Sequence, residues 1–267
     1  MPGNDIFALP NLVAWCIVPF DAAGRGPEER AAMLVRLGLR RLAYDWRDKD
    51  VPTFDDELAA LKRHGIELTA FWLPLPLEPE QDETIALVLE LIRRHRVRPQ
   101  LWVIPNGPAN KHIEGLESDS RKVEAAAAPV GYLAAQGAKV GAQVGLYNHG
   151  GWFGEPENQS AIIRRLGFDN VGVVYNFHHG HEHIARFAEL FARMQPHLIA
   201  LNINGMRAGG PKILPVGAGD RELEMLRIVK RSGWRGPVGI LDHRPELDAE
   251  ESLRQNIEGL ERLRKEL

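Results

Sequence analysis

Histidine and carboxylate side chains recur in this sequence at the points where short apolar runs end. His149 and Glu155 follow the fifth of these runs, His179 follows the sixth, and Asp242 follows the eighth. An imidazole titrates near neutral pH, and a carboxyl group can serve as acid, base or orienting partner. These four side chains therefore predict a site for proton transfer.

Indole and amide side chains collect at the same points and suit a carbohydrate. An indole face can pack on the C–H face of a sugar ring, and an amide offers a donor and an acceptor to neighbouring hydroxyl groups. Cations are few there, which favours an uncharged sugar over a sugar phosphate. The predicted substrate-binding residues are Trp46, Trp72, Asn148, Trp152, Asn176, Asn202, Asn204, Arg207 and Lys111.

The histidines are also candidate ligands for a metal, because imidazole and carboxylate bind zinc and other transition metals. The candidate ligands are His149, His179 and Asp242, with His178 and His243 as alternatives to the second and third. One divalent ion (zinc, manganese, cobalt or magnesium) stays open beside metal-free histidine chemistry. No glycine-rich phosphate turn follows the first apolar run, so no nucleotide cofactor is expected.

Eight apolar runs alternate with amphipathic segments along the chain, and few runs alternate strictly, as is typical of parallel strands buried on both faces. The predicted strands are Leu12–Val18, Leu39–Tyr44, Glu67–Leu73, Gln100–Ile104, Val140–Leu146, Val171–Tyr175, Leu198–Ile203 and Val238–Leu241. The predicted helices are Pro27–Leu37, Phe54–His64, Glu80–His95, Ser118–Gln136, Glu157–Leu166, Ile184–Met194, Arg221–Ser232 and Glu250–Leu267.

Eight strand–helix pairs predict a closed (β/α)8 TIM barrel of the α/β class. An open doubly wound sheet is the structural alternative. No linker or low-complexity tract divides the 267 residues, so one domain over residues 1–267 is expected. In such a barrel the carboxyl ends of the strands meet the substrate, and the polar strand ends therefore predict a site at that rim.

The composition limits the partners. The net charge is −3 and the isoelectric point is about 6.4, so there is no basic surplus for nucleic acid or anionic membranes. No run approaches the ~20 apolar residues of a membrane span. The amino terminus lacks the pattern of a signal peptide, so a cytoplasmic protein is the default, with export open if a leader was removed. A homo-oligomer is left open.

With these strand ends in view, the sequence resembles the xylose-isomerase-like superfamily of sugar isomerases and epimerases. The resemblance covers essentially the whole chain and is closest from residue 140 onward. It is carried by Tyr-Asn-His-Gly-Gly from Tyr147, Asn-Phe-His-His from Asn176, Asn-Ile-Asn-Gly from Asn202, and the glycine-rich Pro215–Asp220. The resemblance implies a barrel that moves a proton on and off the carbon beside a sugar carbonyl, with one divalent metal.

The family's metal ligands are a Glu, an Asp, a His and a Glu after strands 5 to 8. The matching positions here are Tyr147, Asn176, Asn202 and Leu241 or Asp242. At least three of the four ligands are therefore replaced, and neither pair of catalytic carboxylates survives. His179 matches a substrate-binding histidine of the family, and Arg207 lies near the position of a substrate-binding arginine.

Three functions remain open. The first is a sugar isomerase or epimerase, and the second is a lyase or hydratase acting beside a keto group. The third is a carbohydrate-binding barrel without catalysis, which the titratable groups at the rim disfavour because binding alone needs none. A DNA-repair endonuclease on this barrel is excluded, since the rim lacks the carboxylates and the chain lacks the basic charge.

Overall fold

The computed structural model describes residues 5–267, and its eight parallel strands pair in chain order to close a barrel. The predicted TIM barrel is confirmed. The strands are β1 (Leu12–Trp15), β2 (Arg41–Tyr44), β3 (Glu67–Leu75), β4 (Gln100–Pro105), β5 (Gln143–Tyr147), β6 (Val171–Asn176), β7 (Leu198–Ile203) and β8 (Val238–Leu241). The helices are α1 (Pro27–Arg36), α2 (Phe54–Arg63), α3 (Glu83–His95), α4 (Gly107–Glu114), α5 (Asp119–Val140), α6 (Gly151–Gly154), α7 (Pro156–Leu166), α8 (Phe187–Met194), α9 (Glu222–Arg231) and α10 (Ala249–Arg264).

The bounds of β7 and β8 agree with the predicted strands, whereas β1 is shorter than predicted. The apolar run continues to Val18, but the strand ends at Trp15. Cys16 has a φ of 63°, a left-handed conformation that an extended strand cannot include. A run of apolar residues does not reveal such a turn.

The prediction that β5 begins at Val140 is wrong. Val140 is the last residue of α5, and the strand begins at Gln143. The helix ends at Gly141, whose φ of 76° is the left-handed cap that stops a helix. The helices α4 and α6 were not predicted, because they span only eight and four residues inside the loops after β4 and β5.

Two compact units make up the chain. The first unit holds the described residues up to Thr69 together with Asn176–Phe191 and Ala200–Leu267, and the second holds Ala70–Tyr175 and Ala192–Ile199. One domain over the whole chain stays a prediction.

In the first unit, β1 pairs with β2 and β8, and β8 pairs with β7. Tyr44 of β2 meets Phe54 of α2 edge to face, with 5.9 Å between ring centroids, so that side of β2 faces the helices. The ion pair between Arg30 of α1 and the fully buried Glu57 of α2 joins these helices beneath the strands.

In the second unit, β3, β4, β5 and β6 pair side by side. Trp72, Trp102, Gly145 and Gly172 stand in one row across these strands. A Cβ at Gly172 would lie 2.4 Å from the Cγ2 of Ile199, so the barrel interior leaves no room there for a side chain. Among the described helices, none is long and apolar enough to cross a membrane.

Candidate active site

Side chains of the first unit divide between two faces at the carboxyl ends of its strands. Successive residues of a strand point to opposite faces, so Asp45 points away from the helix side that Tyr44 and Trp46 occupy. Trp46 packs on Phe54 of α2, with 5.3 Å between ring centroids, and is 3% exposed. The inner face of the barrel therefore carries Asp45, while the predicted substrate-binding Trp46 packs in the core beside α2.

A row of four rings lies at the strand ends of this unit, and we call His179, His178, His243 and Phe20 the histidine row. Its successive ring centroids are 4.4, 5.1 and 3.9 Å apart. The residues come from the segments after β6, β8 and β1, and each is partly exposed. Arg47 extends the row, because its guanidinium carbon lies 5.8 Å from the Phe20 ring centroid.

In the histidine row, the surroundings of His243 favour its neutral imidazole. Partial burial lowers the pKa of His243, the nearby charge of Arg47 lowers it further, and a hydrogen bond of its own backbone opposes both. A neutral imidazole at physiological pH can accept a proton from a substrate. His178 is held at its backbone, where its amide donates to the Asn176 Oδ1 over 3.0 Å.

Asp45 carries a buried carboxyl group. The residue is 2% exposed, and burial raises its pKa to about 8 against the opposing charge of Arg47 and the nearby Val18 amide. Cys16, which follows β1, lies beside it. Burial raises the pKa of the Cys16 thiol well above its usual value, and the charge of Asp45 raises it further.

Two asparagines of β7 and its end present amide groups that are not fully bonded. Asn202 is fully buried, and among the described residues neither its Oδ1 nor its Nδ2 has a hydrogen-bond partner. Asn204 donates to the carbonyl oxygens of Gly205 and Lys212, while its Oδ1 has no partner there. Buried amide groups without partners are rare, and they mark positions where a ligand or water completes the bonding.

Asp242 is directed away from the substrate side that the sequence predicted for it. Its Oδ1 accepts a hydrogen bond from the Ser252 hydroxyl of α10 over 2.5 Å, and its backbone amide bonds to the Trp15 carbonyl. The residue is fully buried, and burial raises its pKa to about 7. The structure therefore places Asp242 between β8 and α10, where it positions the end of the strand.

Arg207 lies in the loop after β7 and is exposed. Its carbonyl oxygen bonds to the Nε2 of His181 over 2.7 Å, and its Nε lies 3.9 Å from Asp220. His181 is 8% exposed, and its hydrogen bond ties this loop to the segment after β6. This structural role was not predicted. The structure gives Arg207 no role in the histidine row.

In the second unit, the aromatic rings of β4 and β5 lead to His149. The rings of Trp102 and Tyr147 stack with 6.1 Å between centroids and an interplanar angle of 7°. The ring of His149 follows, 6.1 Å from that of Tyr147, and His149 is exposed. Asn148 beside it is 1% exposed, and Trp72 of β3 is partly exposed.

The remaining predicted residues of the second unit lie around α4 to α7. Trp152 is held on the surface, because its amide donates to Glu114 and its indole Nε1 donates to Asp119 over 2.8 Å. Lys111 is exposed on α4. Glu155 is partly exposed and immediately precedes α7, without capping that helix by its side chain.

Neither Phe20 nor Asp45 was predicted to be a site residue. Phe20 looks like an ordinary loop residue, and only its ring contact with His243 shows its place in the row. One feature of the sequence could have indicated Asp45 as a site residue: it directly follows a buried strand, at the rim where substrates bind in such barrels.

The sequence matches the family described as xylose isomerase-like TIM barrel over residues 31–264. The chain therefore belongs to that family. A search of curated proteins finds no significant match.

Three solved structures with the same fold are described by an activity or a bound metal. One is 3-keto-D-glucoside 4-epimerase YcjR from E. coli, with a TM-score of 0.64, 13% identity, and coverage of 96% of this chain and 99% of that one. Another is the probable 3-DHS dehydratase AsbF from Bacillus anthracis, with a TM-score of 0.71, 13% identity, and coverage of 93% and 98%. The third is an IolI protein with a bound zinc atom, with a TM-score of 0.71, 15% identity, and coverage of 96% and 98%.

The residues at the family's metal positions do not fit a divalent metal. Tyr147 is stacked on Trp102, and Asn202 presents a neutral amide. Asp242 is engaged by Ser252 on the helix side. Over residues 5–267, no group of three or more His, Cys, Asp or Glu is arranged to hold a metal ion. Neutral amide and phenol groups are poorer ligands for such an ion than carboxylate and imidazole.

Proposed function

We propose that this xylose isomerase-like barrel catalyses proton transfer on the carbon beside the carbonyl of an uncharged sugar, as an isomerase or epimerase does. The observation that carries the proposal is the histidine row, which gathers three partly exposed imidazoles from two strand ends beside Phe20. Imidazoles titrate near neutral pH and can take the place of the lost carboxylate pair.

The first chemical step is removal of the proton by His179 or by His243, the two histidines on either side of His178 in the row. The C–H bond breaks, its electron pair forms a carbon–carbon double bond, and the carbonyl π pair moves to oxygen. Return of the proton to the other face of the same carbon gives an epimer. Its delivery to the former carbonyl carbon gives an isomer, when the hydroxyl proton of the first carbon passes to the former carbonyl oxygen and leaves a new carbonyl behind. The unpartnered amide of Asn202 supports the proposal as a donor to a sugar oxygen.

His149 and Glu155 stay candidate proton-transfer groups. They lie in the second unit after β5, and His149 is exposed there beside Tyr147. Asp242 is no longer among the groups proposed to reach the substrate, because Ser252 holds its carboxyl on the helix side.

The same first step also opens a path to elimination. If the enolate loses a neighbouring hydroxyl group, the product is an unsaturated sugar and the enzyme is a lyase. If no proton moves, the barrel is a carbohydrate-binding protein. The experiment separates the three by their products.

The test is a panel of neutral aldoses, ketoses and keto-glycosides, each incubated with the protein in D2O and followed by NMR. We expect deuterium to enter at the carbon beside the carbonyl of at least one sugar. His179→Ala should lower that rate about a hundredfold or more while circular dichroism stays unchanged. The matched control is His197→Ala, because His197 lies before β7 at the opposite strand end.

Each outcome decides between the candidates. Loss of a hydroxyl group from the labelled sugar would identify a lyase. Saturable binding without any exchange would identify a binding protein and contradict the proposal. An unchanged exchange rate in His179→Ala would remove that residue from the mechanism.

A further inference from the structure

Asp45 is the first residue after β2. Tyr44 and Trp46 flank it, and both pack on Phe54 of α2. Alternation along the strand then directs Asp45 to the inside of the barrel, one residue beyond the strand's end. In TIM barrels this layer of residues contacts the substrate.

The carboxyl group of Asp45 is poorly satisfied, because only the nearby Val18 amide, its own amide and the Cys16 thiol approach it. Both oxygens are buried, and neither makes a hydrogen bond of standard geometry with a described residue. Asp242 offers a direct comparison, because it is equally inaccessible but its Oδ1 is bonded to Ser252. A buried polar group without a partner costs about 1–3 kcal/mol, so folding alone gives no reason for an aspartate at position 45.

The surroundings hold Asp45 as an acid. The thiol of Cys16 lies beside it, the Arg47 guanidinium belongs to its own loop, and Arg30 of α1 is the other cation whose charge acts on it. These two charges lower the pKa less than burial raises it, and the result is a pKa of about 8. A carboxylic acid, unlike a carboxylate, can donate a hydrogen bond.

Asn202 of β7 presents a second unbonded donor on the inner face. It is paired in register with Gly239 of β8, and a Cβ at Gly239 would collide with the Asn202 side chain. Asp45 and Asn202 are thus two buried polar side chains with unsatisfied groups in the first unit. Donors held in a water-free site stabilise a developing negative charge far better than donors in water.

We propose that Asp45 is a catalytic carboxylic acid that donates a hydrogen bond to the sugar carbonyl oxygen as negative charge develops there. This inference rests on the proposed function. While a histidine removes the proton from carbon, the carbonyl π pair moves to oxygen, and the Asp45 O–H hydrogen bond strengthens. If the proton crosses, the products are an enol and the Asp45 carboxylate, and the reverse transfer restores both. No metal is needed to stabilise the oxygen.

The first arm of the experiment needs no substrate. Infrared difference spectra between the wild type and Asp45→Asn should contain the carbonyl band of a protonated carboxylic acid at about pH 6 and lose it by about pH 10. Asp56→Asn is the matched control, because Asp56 is exposed on α2, and its spectrum should lack the band. Absence of the acid band from the wild type would overturn the proposal.

The second arm compares two near-isosteric variants in the deuterium-exchange assay. Asp45→Asn keeps an N–H donor and should retain kcat within about tenfold, whereas Asp45→Leu has no donor and should lose about a hundredfold or more in kcat. KM should change little in both. Equal rates in the two variants would overturn the donor role, since a purely structural aspartate would act through stability.

The two arms distinguish failure of the proposed function from failure of the role assigned to Asp45. Without exchange of any sugar by the wild type, the proposed function fails and the donor role fails with it, whatever the infrared result. With exchange but no acid band, the proposed function stands and the assignment of Asp45 is wrong.

Discussion

Ionisable groups inside a protein report their surroundings through their protonation. Asp45 has its pKa raised to about 8 by burial, far above the ordinary value of 3.8. In the unfolded chain the same carboxyl ionises near its ordinary value. Between these two values the folded state therefore binds more protons than the unfolded state, and the stability that this group contributes is lost as the pH rises.

Asp45→Asn should remove this dependence. The variant should gain stability over the wild type as the pH rises from about 4 to about 8, by up to about 1.4 kcal/mol per pH unit, and the gain should level off above that range. Urea unfolding of both proteins at several pH values measures the difference. Asp242 and Glu57, whose pKa values are also raised, are common to both proteins and cancel. A difference independent of pH would mean that Asp45 is already ionised in the folded protein.

The positions of some single residues could be predicted from the sequence, whereas the directions of their side chains could not. The placement of His179 at the rim follows from the strand that precedes it, and the structure adds its ring contact with His178, which in turn contacts His243. The direction of Asp242 could not be predicted. All four residues of β8 are buried, so the sequence does not tell which of its faces looks inward. Only the strand register and the contact with Ser252 decide it.

At the scale of elements, strands were predicted better than the loops between them. Parallel strands buried on both faces leave a plain apolar signature, and β7 and β8 were found residue for residue. The end of β1 depends on one backbone angle at Cys16, and the start of β5 depends on where α5 stops. Both are set by local conformation that hydrophobic periodicity does not encode.

The contact between β7 and β8 makes a prediction of its own. In Gly239→Ala the new Cβ would lie 1.8 Å from the Oδ1 of Asn202, in a fully buried position, so the side chain or the strand must move. We expect a loss of about 1–3 kcal/mol in stability, together with weaker sugar binding. Urea unfolding measures the first and calorimetric titration the second.

Gly107→Ala is the matched control. Nothing lies within 4 Å of a Cβ built at Gly107, which opens α4. Its stability should stay close to that of the wild type. If both variants lost the same stability, the close approach of Gly239 to Asn202 would not be the cause.

For the whole molecule, family membership and chemistry do not coincide. The chain keeps the barrel of the xylose isomerase-like family over residues 31–264, while neutral side chains stand at three of the four positions that the resemblance assigned to metal ligands. A TIM barrel tolerates such changes because the strands supply stability and the rim supplies chemistry. A carbohydrate substrate, a cytoplasmic location and any homo-oligomer stay predictions.

Removal of metal should therefore leave the protein unchanged. We expect dialysis against EDTA to alter neither the Tm nor sugar exchange, because a tightly bound ion would stabilise the folded state by mass action and these residues do not offer it a site. Elemental analysis should find well under one zinc, manganese, cobalt or magnesium ion per chain. A fall in Tm on chelation, restored by one of these ions, would show that the chain binds a metal and would contradict this prediction.

The left-handed turn at Cys16 has a consequence for the chain's only thiol. Cys16 is 7% exposed, and burial keeps it in the unreactive thiol form, since alkylating agents and oxidants attack the thiolate. Reagents can reach it only during those moments when the carboxyl end of β1 comes apart. The rate at which Cys16 is labelled in the native protein therefore measures how often the structure around the end of β1 opens, and no engineered probe is needed.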